Sequence, residues 1–587
     1  MLYLDFQLYS HPLFLLNPTL LKGLGSCNEG LSTDPRHGLS CVEDGQYEKS
    51  YGHLFYEPSA TSSLVEQAEE LSLLLTAGRL TNYNVDKIVS ACSVQPDAGS
   101  QFRCLQELVV STAEFHSTSE VTHAVADEAS QPAPARKLQE SSAPEDYKAI
   151  VYYNLAGGVD SYNMLAPYSC SPIDVYDNYR KVRGQSELAE GIGMPLDRLL
   201  EIPANNTAQP CSSFGIHEML PALRDLYLDE EALFIANAGF LSAPATADNY
   251  RDVLDKTRLF AHDGMTLEMM LLDVHDEYVG TGVGGRMLDT LYQAGINANA
   301  FSVDGEQELL VGTPGQGSSP FIVNGEGVVE INGDPSIENM NEVIKDINGA
   351  STIDSGVFAE TWSSKLTDTF AKTELLKAEL DKVSLQTTWS ADHSDANEFK
   401  TVTQIMQTAA ARGVSRDLFF VRTSGWDTHS DVDAKLIEKF TRVNDCIRDF
   451  VAEVKALGLW EKVTLVQFTE FGRTLDQNSN NGADHAWGGH HFMLGGSVKG
   501  GRVLGKYLSE FEPGPENPFM LTSRGRVVPE YPWDAMWYGT AGWFGVPEGP
   551  DMEKVLPMHT NFPSELLYDK EELFHVLGEN SDETSTA

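Results

Sequence analysis

Leu418-Phe419-Phe420-Val421 is an apolar run that empties into Ser424-Gly425-Trp426-Asp427-Thr428-His429, and further on Val463-Thr464-Leu465-Val466-Gln467-Phe468 empties into Thr469-Glu470-Phe471-Gly472-Arg473-Thr474. A polar loop then leads to Gly482-Ala483-Asp484-His485-Ala486-Trp487-Gly488-Gly489-His490-His491. Between the two runs, Leu436, Ile437, Phe440, Val443, Ile447, Phe450, Val451, Val454 and Leu457 recur at three- and four-residue steps. That period is one buried stripe of a helix, and Gly458 suits its C-terminal cap. Strand, helix and strand in this order predict a parallel crossover, with the two strands as parallel neighbours. Both strands deliver carboxylates and imidazoles to their C-terminal ends, where open α/β sheets bind ligands.

Bulk composition narrows the function. The chain has 587 residues, enough for more than one unit, and 86 acidic against 41 basic residues give a formal net charge of −45. So acidic a surface speaks against nucleic-acid binding, which needs a basic footprint, and against docking on anionic lipid. No run reaches the roughly eighteen apolar residues of a membrane span. Asp5 and the late first cation, Lys22, leave no charged n-region for a signal peptide. The seven cysteines form no CxxC or Cys/His pattern, so a thiolate metal site is not expected. Cys27 with Cys41, and Cys92 with Cys104, are spaced for local disulfides, with buried thiols as the alternative.

In chain order, residues 1–116 form a small helical segment, with stripes from Leu64 to Leu75, Val85 to Ala91 and Gln101 to Glu114. Ser-, Ala-, Pro- and Glu-rich residues 117–146 form a flexible linker. An α/β domain spans 147–565, starting with a strand over Ala149–Asn154 that ends in Gly157-Gly158-Val159-Asp160. Residues 566–587 form an acidic, frayed tail. The glycine cluster Gly280 to Gly285 lacks the context of a nucleotide loop and reads as a turn before a helix.

Two resemblances emerge from these motifs. Leu73 to Leu80 and Ala113 to Thr118 resemble the C-terminal end of the family catalogued as domain of unknown function 1800. Gly425 to His429, Glu470 to Thr474, Asp484-His485 and Leu494 to Gly501, supported by Gly157 to Asp160 and Trp543 to Val546, resemble domain of unknown function 1501. That family belongs with the alkaline phosphatases and sulfatases. The resemblance implies a three-layer α/β/α sandwich with a mostly parallel sheet and a metal cleft at the strand ends.

It also implies roles. Asp427, His429 and His485 correspond to the ligands of one divalent ion, and Asp160 and Glu470 to two ligands of a second. Phe471 stands where the second ion's histidine belongs, and Ala261 precedes His262 where relatives often carry a nucleophilic serine. Asp484 is expected to orient its neighbour His485. His262 could act as acid or base, bind a leaving group or ligate metal, and Arg473 is expected to stabilise a substrate anion. Alternatively, Glu470 forms a buried ion pair with Arg473 or Arg286. Ser161, Ser242 and Thr246 lie near strand ends and read as turn residues before they read as nucleophiles. One of His490 and His491 is expected to face the cleft, and Trp426 and Trp487 to be core or a stacking platform.

The expectation is a metal-dependent hydrolase of phosphate or sulfate esters, extracellular or in the cell envelope, acting on an anionic ester or glycan. Zinc suits the imidazoles best, with manganese, magnesium or calcium where carboxylates dominate. The competing expectation is a catalytically degenerate metal- or glycan-binding surface protein on the same fold. Substrate and oligomeric state are beyond the sequence.

Overall fold

The computed structural model describes residues 62–117, 146–171, 174–254, 258–275, 280–313, 320–328, 339–349, 357–514 and 517–575. The N-terminal stretch with Cys27 and Cys41, most of the expected linker and the end of the expected tail lie outside these residues. The chain divides into two compact units: Met1–Lys137 with Val329–Ala378, and Leu138–Val328 with Glu379–Ala587.

In the first unit, helices Leu64–Thr76, Asn82–Cys92 and Ala98–Val110 follow the predicted stripes. Ser63, Thr81 and Asp97 cap them by accepting a backbone N–H of the first turn. Cys92 and Cys104 are disulfide-bonded. Their core, including Ala68, Leu71, Ile88 and Leu108, is shared with Met340, Ile344, Ile347 and Phe370 from far along the chain. Asn348 donates from Nδ2 to the Ser111 carbonyl at 3.0 Å, and Lys87 pairs with Asp346 at 2.6 Å. The linear reading ran residues 339–378 through the α/β domain, because nothing local in that stretch marks its distant partner.

The second unit is built on strands β1 (Lys148–Leu155), β2 (Leu165–Cys170), β3 (Leu199–Pro203), β4 (Cys211–His217), β5 (Ala232–Gly239), β6 (Ala298–Ser302), β7 (Phe321–Asn324), β8 (Gly327–Val328), β9 (Arg416–Thr423), β10 (Val463–Phe468), β11 (Gly489–Leu494), β12 (Val503–Gly505) and β13 (Tyr531–Pro532). Among the described residues, ten of them form one sheet in the order β12-β5-β11-β10-β1-β9-β6-β7-β8, with β13 pairing β5. β10, β1, β9, β6 and β7 run parallel, while β11 is antiparallel to both β10 and β5. Helices flank this mixed, mostly parallel sheet, and β2, β4 and β3 make a separate antiparallel sheet bridged by a Cys170–Cys211 disulfide.

The strands before Asp427 and Glu470 are not neighbours. β1 lies between them, parallel to both. From Ala149 to Leu155 it is buried at every position, which requires partners on both edges and cover on both faces, so it takes the middle of the sheet. Helix Val432–Ala456 buries most of the predicted stripe, with Ile437 and the capping Leu457 half-buried, and ends before Gly458, whose φ is +67°. The crossover is therefore as read, but it spans one strand more. No described helix is long and apolar enough to cross a membrane.

Candidate functional site

Because β1, β9 and β10 are parallel, their C-terminal ends open onto one place. The turn after β1 meets the turn after β9 at Gly157, where a Cβ would stand 2.7 Å from the Asp427 amide nitrogen. With φ at +121°, only glycine fits this approach. The Gly157 N–H donates to Glu470 Oε1 at 2.8 Å, tying the β1 turn to the β10 turn as well.

Asp427, His429, His485 and His262 come together here. His429 Nε2 lies 3.0 Å from Asp427 Oδ1 and 2.9 Å from His485 Nε2, and His485 Nε2 lies 3.2 Å from Asp427 Oδ1. His262, on the first turn of helix His262–Leu271, adds its Nε2 at 3.6 Å from the same oxygen. The ligand atoms of His262, Asp427 and His485 all lie within 4.8 Å of one another.

The partners of the Nδ1 atoms settle what the Nε2 atoms present. His485 Nδ1 is 2.8 Å from the Phe260 carbonyl, which can only accept. His429 Nδ1 is 3.0 Å from Asp484 Oδ1, and His262 Nδ1 is 2.7 Å from Glu470 Oε1. Burial favours protonation of both carboxyls, but hydrogen bonds outweigh it and hold both below their ordinary values: chiefly from Asn478 and His429 for Asp484, and from His262 for Glu470. All three Nδ1 atoms face acceptors and are donors in this arrangement, so each ring is held with its Nε2 turned toward Asp427. Burial would raise the Asp427 carboxyl, yet Arg473 and the imidazoles outweigh it and keep it below the usual value. The Nε2 atoms of His262, His429 and His485 thus all lie around Asp427 Oδ1, and the His262 Nε2 is buried without a hydrogen-bond partner. His262, Asp427 and His485 are a set of side chains that could hold a metal ion.

The protonation tendencies differ around the cluster. The hydrogen bond to Glu470 raises His262 above the ordinary imidazole value, while burial lowers His485. The Asp427 side chain remains 45% exposed, so the cluster is open to solvent and to a ligand.

Other sequence-derived residues stand elsewhere. Glu470, 3% exposed, sits behind His262 and bonds to its outer nitrogen. Asp160 forms a wholly buried ion pair with Arg183 and does not belong to the group of convergent ligand atoms. Arg473 is fully buried. Its Nε donates to the Gly158 carbonyl at 2.7 Å and its Nη1 to Ala483 at 3.2 Å, and its Nη2 contacts the Gly157 carbonyl and Asp427. It pins three turns together from beneath the site. Asp484 orients His429, not His485, because adjacent residues on extended backbone point to opposite sides.

The backbone carbonyl of Phe260 takes that role for His485, from a left-handed conformation with φ +65°. No side-chain pattern could have revealed it, since the acting group is main chain. Phe471 packs its ring 4.7 Å from that of His262 and 4.8 Å from that of His485, an apolar wall against both imidazoles. His490 and His491 are both buried; His490 accepts from the Asn237 N–H and His491 packs on Trp533. Trp426 and Trp487 are core, donating to Thr423 Oγ1 and the Phe240 carbonyl. The hydroxyls of Ser161, Ser242 and Thr246 are engaged with the His490 N–H, the Val253 carbonyl and Asn249. Arg286 is held by the carbonyls of Thr281, Leu271 and Val555 at the start of helix Val283–Gln293.

Comparison with known proteins bears on the same stretch. The family model described as protein of unknown function (DUF1501) matches residues 373–511, which carry Asp427, His429, Glu470, Arg473 and His485. The comparison with curated proteins yields no significant match. Among solved structures, the PsFucS1 sulfatase from Pseudoalteromonas sp. is 12% identical with a TM-score of 0.30, over 73% of this chain and 74% of that one. The lipoteichoic acid synthase LtaP from Listeria monocytogenes is 8% identical with a TM-score of 0.24, over 65% and 71%. The C-terminal periplasmic domain of EcEptC from Escherichia coli, solved in complex with Zn, is 11% identical with a TM-score of 0.24, over 61% and 74%.

Proposed function

We propose that the chain is a metal-dependent hydrolase of phosphate or sulfate esters with a single divalent ion. The supporting observation is the convergence of three oriented imidazole lone pairs on the Asp427 carboxylate. Nitrogen and oxygen ligands about 2.0–2.2 Å from a tetrahedral zinc stand about 3.3 Å apart. The Nε2 atoms of His429, His485 and His262 lie 3.0, 3.2 and 3.6 Å from Asp427 Oδ1, and those of His429 and His485 lie 2.9 Å apart, values that bracket it. Asp427, His429 and His485 would hold the ion, with His262 as the fourth ligand, and zinc suits this donor set better than magnesium or calcium.

A divalent ion supplies Lewis acidity and positive charge at the mouth of this cleft. The protein's own part begins with Asp484, Phe260 and Glu470, which fix the three rings in the tautomer that leaves Nε2 free. Glu470 favours a proton on His262, so His262 is the member of the cluster best suited to carry a proton to a leaving group when it is not a ligand. Phe471 excludes water from the side opposite the cleft. The disulfides Cys92–Cys104 and Cys170–Cys211 support an oxidising compartment, outside the cytoplasm.

One observation favours a second reading, a metal-dependent binding protein without turnover. Ala261 offers no hydroxyl at the start of the His262 helix, and Ser161, Ser242 and Thr246 are engaged elsewhere. Metal analysis of protein purified without chelator, beside His485→Ala, tests the metal site itself. About one equivalent of zinc is expected in the wild type and far less in the variant. A wild type that takes up neither zinc nor manganese defeats the proposal. Turnover of aryl phosphates or sulfates by the loaded protein then separates the enzyme from the binding protein.

A further inference from the structure

With Arg473 buried beneath the site, the cation that would meet a substrate anion must come from elsewhere. Residues 520–527 form a tight hairpin against the cluster. Met520 and Val527 are bridged antiparallel, and the Leu521 N–H donates to the Arg526 carbonyl at 2.9 Å. At its tip Arg524 and Gly525 have φ of +62° and +60°, a consecutive pair in the left-handed region. Gly525 is pressed against the segment after Arg473. Its carbonyl accepts the Leu475 N–H, and a Cβ would lie 2.8 Å from both Leu475 and Asp476. An arginine beside it at positive φ is a strained choice, of the kind that clusters at functional sites.

This hairpin sets two guanidinium groups directly behind two of the imidazoles. Arg524 Nη1 donates to Asp484 Oδ2 at 2.6 Å, and Asp484 Oδ1 orients His429. Arg526 donates from Nε to the His485 carbonyl at 2.9 Å, while its guanidinium lies 4.0 Å above the Phe260 ring, the residue whose carbonyl orients His485. The stack and the single Nε bond aim the guanidinium plane. Its two terminal nitrogens hydrogen-bond to none of the described residues, and Arg526 has no ion-pair partner among them. In a chain with 86 acidic and 41 basic residues, an arginine that feels the charge of Asp484 but makes no direct ion pair, beside a cluster of metal-type ligands, is conspicuous. Burial and then the nearby charge of Arg524 lower its proton affinity, placing both cations in one neighbourhood.

We propose that Arg526, supported by Arg524, is the anion receptor of this site and binds the non-bridging oxygens of a phosphate or sulfate ester through its free terminal nitrogens. The role deepens the hydrolase reading and rests on it for the reacting group, but the recognition step itself needs no turnover. A guanidinium offers two parallel N–H donors to a tetrahedral oxyanion, a match that a lysine ammonium lacks.

The test is calorimetric titration of inorganic phosphate, and separately of sulfate, into zinc-loaded wild type, Arg526→Ala and Arg526→Lys, with zinc affinity measured on each. Arg526→Ala is expected to weaken anion binding about tenfold or more while holding zinc as the wild type does, with Arg526→Lys in between. The anion that binds more tightly names the ester class. Equal anion affinity in wild type and Arg526→Ala overturns the proposal, as does a loaded wild type that binds neither anion. If Arg526→Ala does not fold, Arg526→Lys decides alone: several-fold weaker binding upholds the role and unchanged binding overturns it. Should the wild type take up no zinc, the metal reading fails by itself, and the same titrations on the metal-free protein decide whether anion binding depends on Arg526.

Discussion

Replacing Glu470 with glutamine separates a residue that holds a metal from one that holds a ligand in place. Glu470 Oε1 accepts from His262 at 2.7 Å and from the Gly157 N–H at 2.8 Å, and the residue is nearly inaccessible. Glutamine keeps the shape but removes the charge. Loss of a carboxylate behind a ligating imidazole weakens metal binding about 10- to 100-fold, or about 1.4–2.7 kcal/mol. The hydrogen bond that His262 donates to Glu470 is also the main reason it holds its proton above the ordinary value. Without it, His262 releases its proton at lower pH and protons compete less with the ion. The variant's deficit, measured by competition titration with a chromophoric zinc chelator, is therefore largest near about pH 8 and shrinks toward about pH 6. Equal affinity at both values, or a deficit that grows on acidification, refutes this account of His262. Complete loss of the site at both values would make Glu470 a direct ligand.

Two predictions concern stability. Arg473→Lys leaves buried carbonyls at Gly157, Gly158 and Ala483 short of donors, so unfolding free energy should fall by about 3 kcal/mol or more in a denaturant titration. A wild-type midpoint would show that the guanidinium is not the pin described here. Asp534 is wholly buried, neither carboxyl oxygen has a hydrogen-bond partner, and burial raises it to about 7. Its folded form prefers the proton, so the wild type pays no ionisation penalty below the unfolded value, near 3.8, and loses stability as pH rises from there to about 7. Relative to Asp534→Asn, the wild type should lose up to about 4 kcal/mol between about pH 4 and pH 8, and a pH-independent difference would contradict it.

The sequence made visible whatever repeats with a local period or sits at a strand end. Helix Val432–Ala456, β1, β9, β10 and the trio of Asp427, His429 and His485 are all of this kind, because burial imposes the period and the strand end fixes the direction of delivery. What stayed hidden depends on pairs of residues distant in sequence. The insertion of β1 between β9 and β10, the Cys170–Cys211 bond across 41 positions, and the helix Met340–Gly349 packed with the N-terminal helices leave no trace in either partner alone.

The site divides along the same line. Ligating side chains announce themselves by type, since only a few residues bind metal, but the groups that orient them do not. The Phe260 carbonyl acts through a backbone angle, and Asp484 serves the more distant of two histidines because its neighbour faces the other way. The part expected of Arg473 is the one proposed for Arg526, a residue no motif pointed to. The arginine inside the motif is drawn under three converging turns, where it is buried, whereas the one outside it is lifted by the 520–527 hairpin onto Phe260 and kept partly open. Charge alone assigns a cation to the cleft. Burial decides which cation can meet an anion there.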